Sequence, residues 1–190
     1  MRYVIITLGI VGVLAVSGSA PPESRATTDS TPSPFTDALV QDVATLESKL
    51  VSLAEAMSEE ALEWAPSDEV LTSAEVFMHV AAYNYYYPSM AGAVIPAGAG
   101  VTTDYATVSE FENKARTRDQ LVADLRTSFE HLGSSVAAIT AEELDDDTEV
   151  FGRTTTVQAA WFGTVTHIHE HLGQLVAYAR ANGITPPWSM

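Results

Sequence analysis

Hydrophobic residues recur every three or four positions over four long segments of the chain, a spacing that places them on one face of an α-helix. The first predicted helix runs from Phe35 to Met57, and the other three run over 72–90, 118–139 and 156–182. No segment alternates between polar and apolar residues as a convincing strand would, so we predict no β-strand. The pattern therefore predicts an all-α protein, built as an up-down four-helix bundle.

Capping residues fix the ends of these predicted helices. Thr72 with Glu75, and Thr117 with Gln120, have the spacing of a capping box, in which two side chains bond free backbone amides of the first turn. Gly183 lies where the last helix is expected to stop.

Two connections between the helices are long. Residues 91–116 contain three glycines and a proline, so we predict a long loop between the second and third helices, with a helical turn only over 109–114. Long connections in compact domains are often functional lids. An acidic loop over 142–149 is expected before the last helix.

The chain begins with a segment that differs in composition from the rest. Arg2 precedes a predominantly apolar run over 3–16, and small residues follow at 17–20, which is typical of a secretory signal peptide over residues 1–20. An uncleaved N-terminal membrane anchor is the alternative. Residues 21–34 are rich in Pro, Ser and Thr and are predicted to be a disordered linker, which leaves 35–190 as the folded domain. We therefore expect a secreted or periplasmic protein with no membrane contact after cleavage.

Charge and composition exclude several function classes. The chain has nine basic and 25 acidic residues, a formal net charge of −16, so we expect no nucleic-acid partner. It has no cysteine, which excludes disulfides, thiol nucleophiles and cysteine-ligated metals. Any metal ion must be held by His, Asp or Glu.

Three of the five histidines lie close together on the last predicted helix. His167 and His171 are four residues apart and share a face, beside the apolar stripe, whereas His169 points to the opposite, solvated side. His79 lies on the inward face of the second helix, and His131 is expected to be exposed. On spacing alone, a metal site at His79, His167 and His171 and a set of hydrogen-bonded core histidines both remain open.

The last helix carries a family resemblance. The stretch His167–Pro187 resembles the last helix of the DinB superfamily, in which an HxxxH pair is followed by x-Gly-Gln, an arginine turn, Gly and Pro-Pro. His79 is similar to the family's second-helix histidine, and residues 151–154 are also similar. The similarity spans about residues 35–188, and the HxxxHxGQ motif is its most specific part.

The resemblance implies a fold and a chemistry. It implies an up-down four-helix bundle with one divalent metal ion held by His79, His167 and His171, in a metal-dependent hydrolase of a small molecule. Zinc, nickel, iron and manganese are all open, since imidazole suits each of them. Some relatives are thiol-dependent S-transferases or isomerases, and a non-catalytic metal- or ligand-binding module is a further alternative. A homodimer is compatible with such a bundle.

Three further residues are candidates for the surroundings of the ion. Tyr83 lies one turn after His79 and either reaches an open coordination position or is an ordinary core aromatic. Glu170 follows His167 by three residues and is either a catalytic base or a solvated carboxylate. Gln174 follows His171 by three residues and either holds the second nitrogen of a ligand or caps the pocket.

Overall fold

The computed structural model describes residues 33–189, and the predicted signal peptide and all but the last two residues of the predicted linker lie outside them. Helices dominate, which confirms the all-α class, and a small β-hairpin precedes the last helix. The elements are α1 (Pro34–Ala56), α2 (Glu59–Leu62), α3 (Ser73–Met90), α4 (Tyr105–Glu112), α5 (Arg118–Ala137), β1 (Asp147–Val150), β2 (Arg153–Thr156) and α6 (Val157–Ala181), followed by a 3₁₀ turn, Pro187–Ser189.

The predicted helix ends are confirmed by their caps. Both capping boxes form, at Thr72 with Glu75 and at Thr117 with Gln120. Gly183, just beyond α6, has a φ of +73°, a left-handed conformation that glycine adopts without steric cost. The first helix begins earlier than predicted, because the hydroxyl of Ser33 accepts a 3.0 Å bond from a first-turn amide.

The four long helices pack as a bundle in which α1 and α3 each contact both α5 and α6. The pairs α1–α3 and α5–α6 therefore lie diagonally across the bundle, whereas α3 and α5 lie side by side, unlike the simplest up-down arrangement. The connections 57–72 and 138–156 are long enough to cross the bundle ends, which makes this order sterically accessible.

Buried aliphatic and aromatic residues from all four long helices form one core. Its largest fully buried side chains include Trp161, Phe77, Phe129 and Leu50. Each such side chain contributes about 1.5–3 kcal/mol relative to an exposed position, so this core supplies the main stabilisation of the bundle. Within residues 33–189, no helix is long and apolar enough to cross a membrane.

The prediction that the chain contains no strand is wrong. Residues 147–150 and 153–156 pair as an antiparallel hairpin, with Val150 opposite Arg153. The two turn residues, Phe151 and Gly152, both have positive φ, +50° and +73°, as a type I′ turn requires. The strands are only four residues long and mostly polar, so they lack the alternation by which strands are recognised.

The connection over 91–116 contains more helix than predicted. The helix α4 covers eight residues and starts at Tyr105, where the carboxylate of Asp104 accepts a 3.0 Å bond from a first-turn amide. The predicted turn over 109–114 captures only its end. Because α4 packs against α3, it brings Glu112 against His79 and the Tyr105 hydroxyl to 3.2 Å from that of Tyr83.

Candidate metal centre

Three histidines from two helices meet at one point. The Nε2 atom of His167 lies 3.0 Å from that of His79 and 3.2 Å from that of His171. One ligand atom from each ring lies within 4.8 Å of the others, and all three residues are partly buried. Nitrogen ligands 2.0–2.1 Å from one tetrahedral ion lie about 3.3 Å apart, so this spacing is close to that of a ligand set.

Two of the rings are also hydrogen-bonded through their Nδ1 atoms. His79 Nδ1 is 2.7 Å from an oxygen of Glu112, and His171 Nδ1 is 2.9 Å from the amide oxygen of Gln174. The amide nitrogen of Gln174 donates to the Tyr178 hydroxyl at 2.9 Å, which turns its oxygen towards His171. Metal-bound histidines in proteins nearly always have such a partner on the second nitrogen.

These partners determine where the imidazole protons lie. Because a carboxylate oxygen and an amide oxygen only accept hydrogen bonds, the Nδ1 atoms of His79 and His171 carry the protons. Their Nε2 atoms therefore present lone pairs to the centre, where both face His167. Hydrogen bonding alone cannot satisfy this arrangement, since one N–H on His167 can serve only one of the two lone pairs.

The His167 ring also cannot complete the hydrogen bonding of the three histidines. Burial, with the charges of the neighbouring histidines, lowers the pKa of His167 to about 3, so the ring is neutral and carries one proton. If that proton is on Nδ1, it is buried without a partner among residues 33–189, and three lone pairs converge on one another. A divalent cation would accept all three lone pairs at once, so the three residues fit a metal ion.

Aromatic side chains surround the histidines. The Tyr83 ring lies 4.3 Å from the His79 ring, and its hydroxyl is 3.2 Å from that of Tyr105. Burial, followed by the hydrogen bond with Tyr105, raises the pKa of Tyr83, which keeps the phenol protonated and able to donate. Tyr87 packs on His167, with ring centres 5.1 Å apart.

The remaining candidates lie at different distances from this centre. Glu170 is exposed and takes part in no side-chain hydrogen bond within residues 33–189, although its charge contributes to raising the pKa of Tyr87. His169 is exposed, as predicted, and pairs with Asp42 at 2.9 Å. The prediction for His131 is wrong, because the ring is half-buried and stacks on Tyr85 with centres 5.0 Å apart.

Sequence reasoning missed two residues of this site. Glu112 and Tyr105 lie in the connection that was predicted to be mostly loop, and both face α3 only because α4 folds back on it. Glu112 is 33 residues from His79, too far for any periodic pattern to link them. The one signal for Glu112 in the sequence is an acidic side chain that follows closely on the apolar Val108 and Phe111.

The fold and the site together define the class of this protein, a helical bundle with a three-histidine centre. The model of the DinB superfamily matches residues 43–175, well over half of the chain, and the protein belongs to this superfamily. No curated protein is similar enough to the chain to count as a match.

Two solved structures share the fold. A DinB-like protein from Bacillus cereus ATCC 10987 is 17% identical with a TM-score of 0.66, over 80% of this chain and 95% of that protein. A DinB-like protein from Bacillus subtilis is 21% identical with a TM-score of 0.60, over 78% of this chain and 93% of that protein. At these identities the similarity shows the fold.

Proposed function

We propose that this protein is an exported metal-dependent hydrolase that acts on a small molecule, with His79, His167 and His171 as the metal ligands. The observation that carries the proposal is the convergence of three imidazole nitrogens with no N–H able to satisfy them all. Three protein ligands are also the number that catalytic zinc-type sites use while keeping one position open.

Different residues of the chain have different roles in the proposed reaction. A divalent ion bound there supplies Lewis-acid chemistry, since it lowers the pKa of a bound water towards neutrality and polarises a substrate oxygen. Glu112 and Gln174 hold two of the ligand rings in the tautomer that metal binding needs. The Tyr83 ring packs on His79, and its hydroxyl, paired with that of Tyr105, is a candidate donor to a substrate oxygen.

The test has two stages, metal binding and turnover. Elemental analysis of the purified protein should find one divalent ion per chain in the wild type and almost none in His167→Ala. His169→Ala is the matched control, because that histidine is on the same helix but faces solvent and Asp42. The identity of the ion, among zinc, nickel, iron and manganese, follows from the same measurement.

Turnover is then measured on a panel of esters, amides and thiol substrates. Hydrolysis that requires the ion and is lost in His171→Ala is the expected result. Full metal loading without hydrolysis of any ester or amide would contradict the hydrolase and favour a binding module, whereas activity only with a thiol co-substrate would favour an S-transferase.

Export rests on the pattern of residues 1–20 and has its own test. The protein expressed with its complete N-terminus in a bacterial host should be recovered outside the cytoplasm with a new N-terminus at Ala20 or Pro21, read by mass spectrometry. An intact N-terminus on a membrane-bound protein would favour the anchor instead.

A further inference from the structure

A cavity of about 500 Å³ lies between the hairpin β1–β2 and α6, the helix that also carries His167 and His171. Tyr87 lines it and also packs on His167, with ring centres 5.1 Å apart. Gly163 lines its floor, four residues and so one helical turn before His167 on the same face of α6. The size falls within the range of small-molecule sites.

One wall of the cavity is a strained aromatic residue. Phe151 has a φ of +50°, which is rare for any residue other than glycine, asparagine or aspartate. Its ring is 55% exposed and lies 5.5 Å from Tyr87 and 6.4 Å from Tyr86, measured between ring centres. Asparagine is the ordinary residue at this turn position, so keeping an aromatic ring here costs backbone strain.

A cation lines the same cavity. Arg153 is directly opposite Val150 and two residues before Thr155, which places these three side chains on one face of the hairpin. Arg153 is exposed and takes part in no ion pair or side-chain hydrogen bond within residues 33–189. By contrast, Arg116 and Arg126 are paired with carboxylates.

The floor of the cavity is built from small residues. Ala159, Ala160 and Gly163 leave space above α6, and a Cβ atom added to Gly163 would meet no other atom within 4 Å. Glycine inside a helix is destabilising relative to alanine, so local stability does not account for its presence here.

We propose that this cavity binds the substrate of the metal centre, and that the substrate is a small carboxylate with an aromatic or aliphatic body. Phe151 and Tyr87 pack on the body, and Arg153 pairs with the carboxylate through its planar guanidinium. A carboxylate offers two coplanar oxygens, which one guanidinium can bind through two parallel N–H bonds. This inference rests on the proposed function for the reaction, but binding to the cavity can be measured without it.

The test uses 3-phenylpropionate and its neutral amide, 3-phenylpropanamide, as probes. Their binding is followed by NMR of backbone amides, first with a chelator present so that the carboxylate cannot bind a metal. We expect Arg153→Gln to weaken 3-phenylpropionate binding about tenfold or more and to change amide binding little. Arg180→Gln is the control, since that exposed arginine lies at the other end of α6.

A second pair of variants tests the position of the probe. Gly163→Leu fills the cavity and favours helix, so it should fold and lose the binding of both probes. Gly133→Leu makes the same change in α5, also in open space, and should keep both.

Two results would overturn the proposal. One is equal affinity for 3-phenylpropionate in Arg153→Gln and wild type, and the other is no saturable shift at the cavity residues with millimolar probe. Because these measurements use metal-free protein, they test the cavity separately from the hydrolase activity. Normal metal loading and turnover without probe binding would overturn the cavity proposal and leave the proposed function standing. Probe binding without turnover would overturn the hydrolase and leave the cavity as a binding site.

Discussion

The bond between Glu112 and His79 joins a short peripheral helix to a ligand of the proposed ion. The two groups are 2.7 Å apart and about four-fifths buried. A carboxylate behind an imidazole fixes the proton on Nδ1 and makes Nε2 a better electron donor. Glu112 is therefore a positioning residue, which acts on the ion through His79.

Removal of this carboxylate should weaken metal binding. We expect Glu112→Ala to lower the affinity for zinc about 10–100-fold, measured by competition with a chromophoric chelator, with little loss of fold. Glu110→Ala, an exposed change on the same helix, should leave the affinity unchanged. Equal affinities in the two variants would show that Glu112 does not support the site.

His131 is a half-buried titratable group outside the site. Burial lowers the pKa of His131 below its ordinary value of 6.5, and its Nε2 has no hydrogen-bond partner among residues 33–189. Since the folded-state pKa lies below the unfolded one, the unfolded chain binds the proton more tightly. Folding stability from this residue is therefore present above about pH 6.5 and is lost as the pH falls.

The matched variant His131→Phe keeps a ring against Tyr85 and cannot be protonated. Wild type should lose thermal stability relative to this variant between pH 7.5 and 5.5, because protonation favours only the unfolded wild type. Melting temperatures of both proteins across this range give the difference, in which other titrating groups cancel. A constant difference across the range would contradict a depressed pKa.

At the scale of elements, one arginine connects the end of α4 to α5. The side chain of Arg116 is only 4% exposed and pairs with Asp124 of α5 at 2.5 Å. Its guanidinium also donates to the carbonyls of Phe111 and Lys114 at 2.7 Å and lies over the Phe111 ring. Arg116 thereby fixes the end of α4, one residue from Glu112.

Loss of these bonds should be felt both in stability and at the site. We expect Arg116→Gln to lower the free energy of unfolding by about 1–3 kcal/mol, since bonds to charged groups are left unmade. Zinc affinity should fall as well, because Glu112 loses its support. Arg118→Gln, on an exposed arginine two residues later, is the control in both denaturant unfolding and chelator competition.

The long helices were predictable because each carries its own signal. Apolar periodicity, two capping boxes and Gly183 fix α1, α3, α5 and α6 to within a few residues. The hairpin and α4 were not predictable, since their stability comes from contacts with the bundle rather than from their own sequence pattern. Phe151 in a left-handed conformation is an example, because no propensity would place it there.

The residues of the candidate site also differ in whether the sequence could predict them. His167 and His171 could be paired from helical spacing alone, and His79 could be proposed from its inward face. Glu112 could not be found, because its contact with His79 depends on how a 26-residue connection folds. The burial of His131 was also missed, since it comes from the Tyr85 ring of a different helix.

At the scale of the whole molecule, the proposed ion would connect two helices. His79 belongs to α3, and His167 and His171 belong to α6, which pack against each other in the bundle. A ligand that binds only the folded chain stabilises it by mass action, by about 2.7 kcal/mol when its concentration is 100 times the dissociation constant.

Metal removal should therefore lower the melting temperature. For a chain of this size, that stabilisation corresponds to roughly 5–10 °C between zinc-loaded and chelator-treated protein. His79→Ala should melt at the same temperature in zinc and in chelator, as measured by calorimetry. An equal melting temperature for wild type in both conditions would count against a bound ion.

The position of Glu112 on α4 also has a kinetic consequence. The ligands themselves are on two helices of the packed bundle, but the group that orients His79 is on an eight-residue helix outside it. Detachment of α4 therefore frees one ligand ring to rotate while the bundle stays folded. We predict that the residence time of the proposed ion would depend on how often α4 opens, whereas its equilibrium affinity would depend on the closed state, so the two quantities could be changed independently.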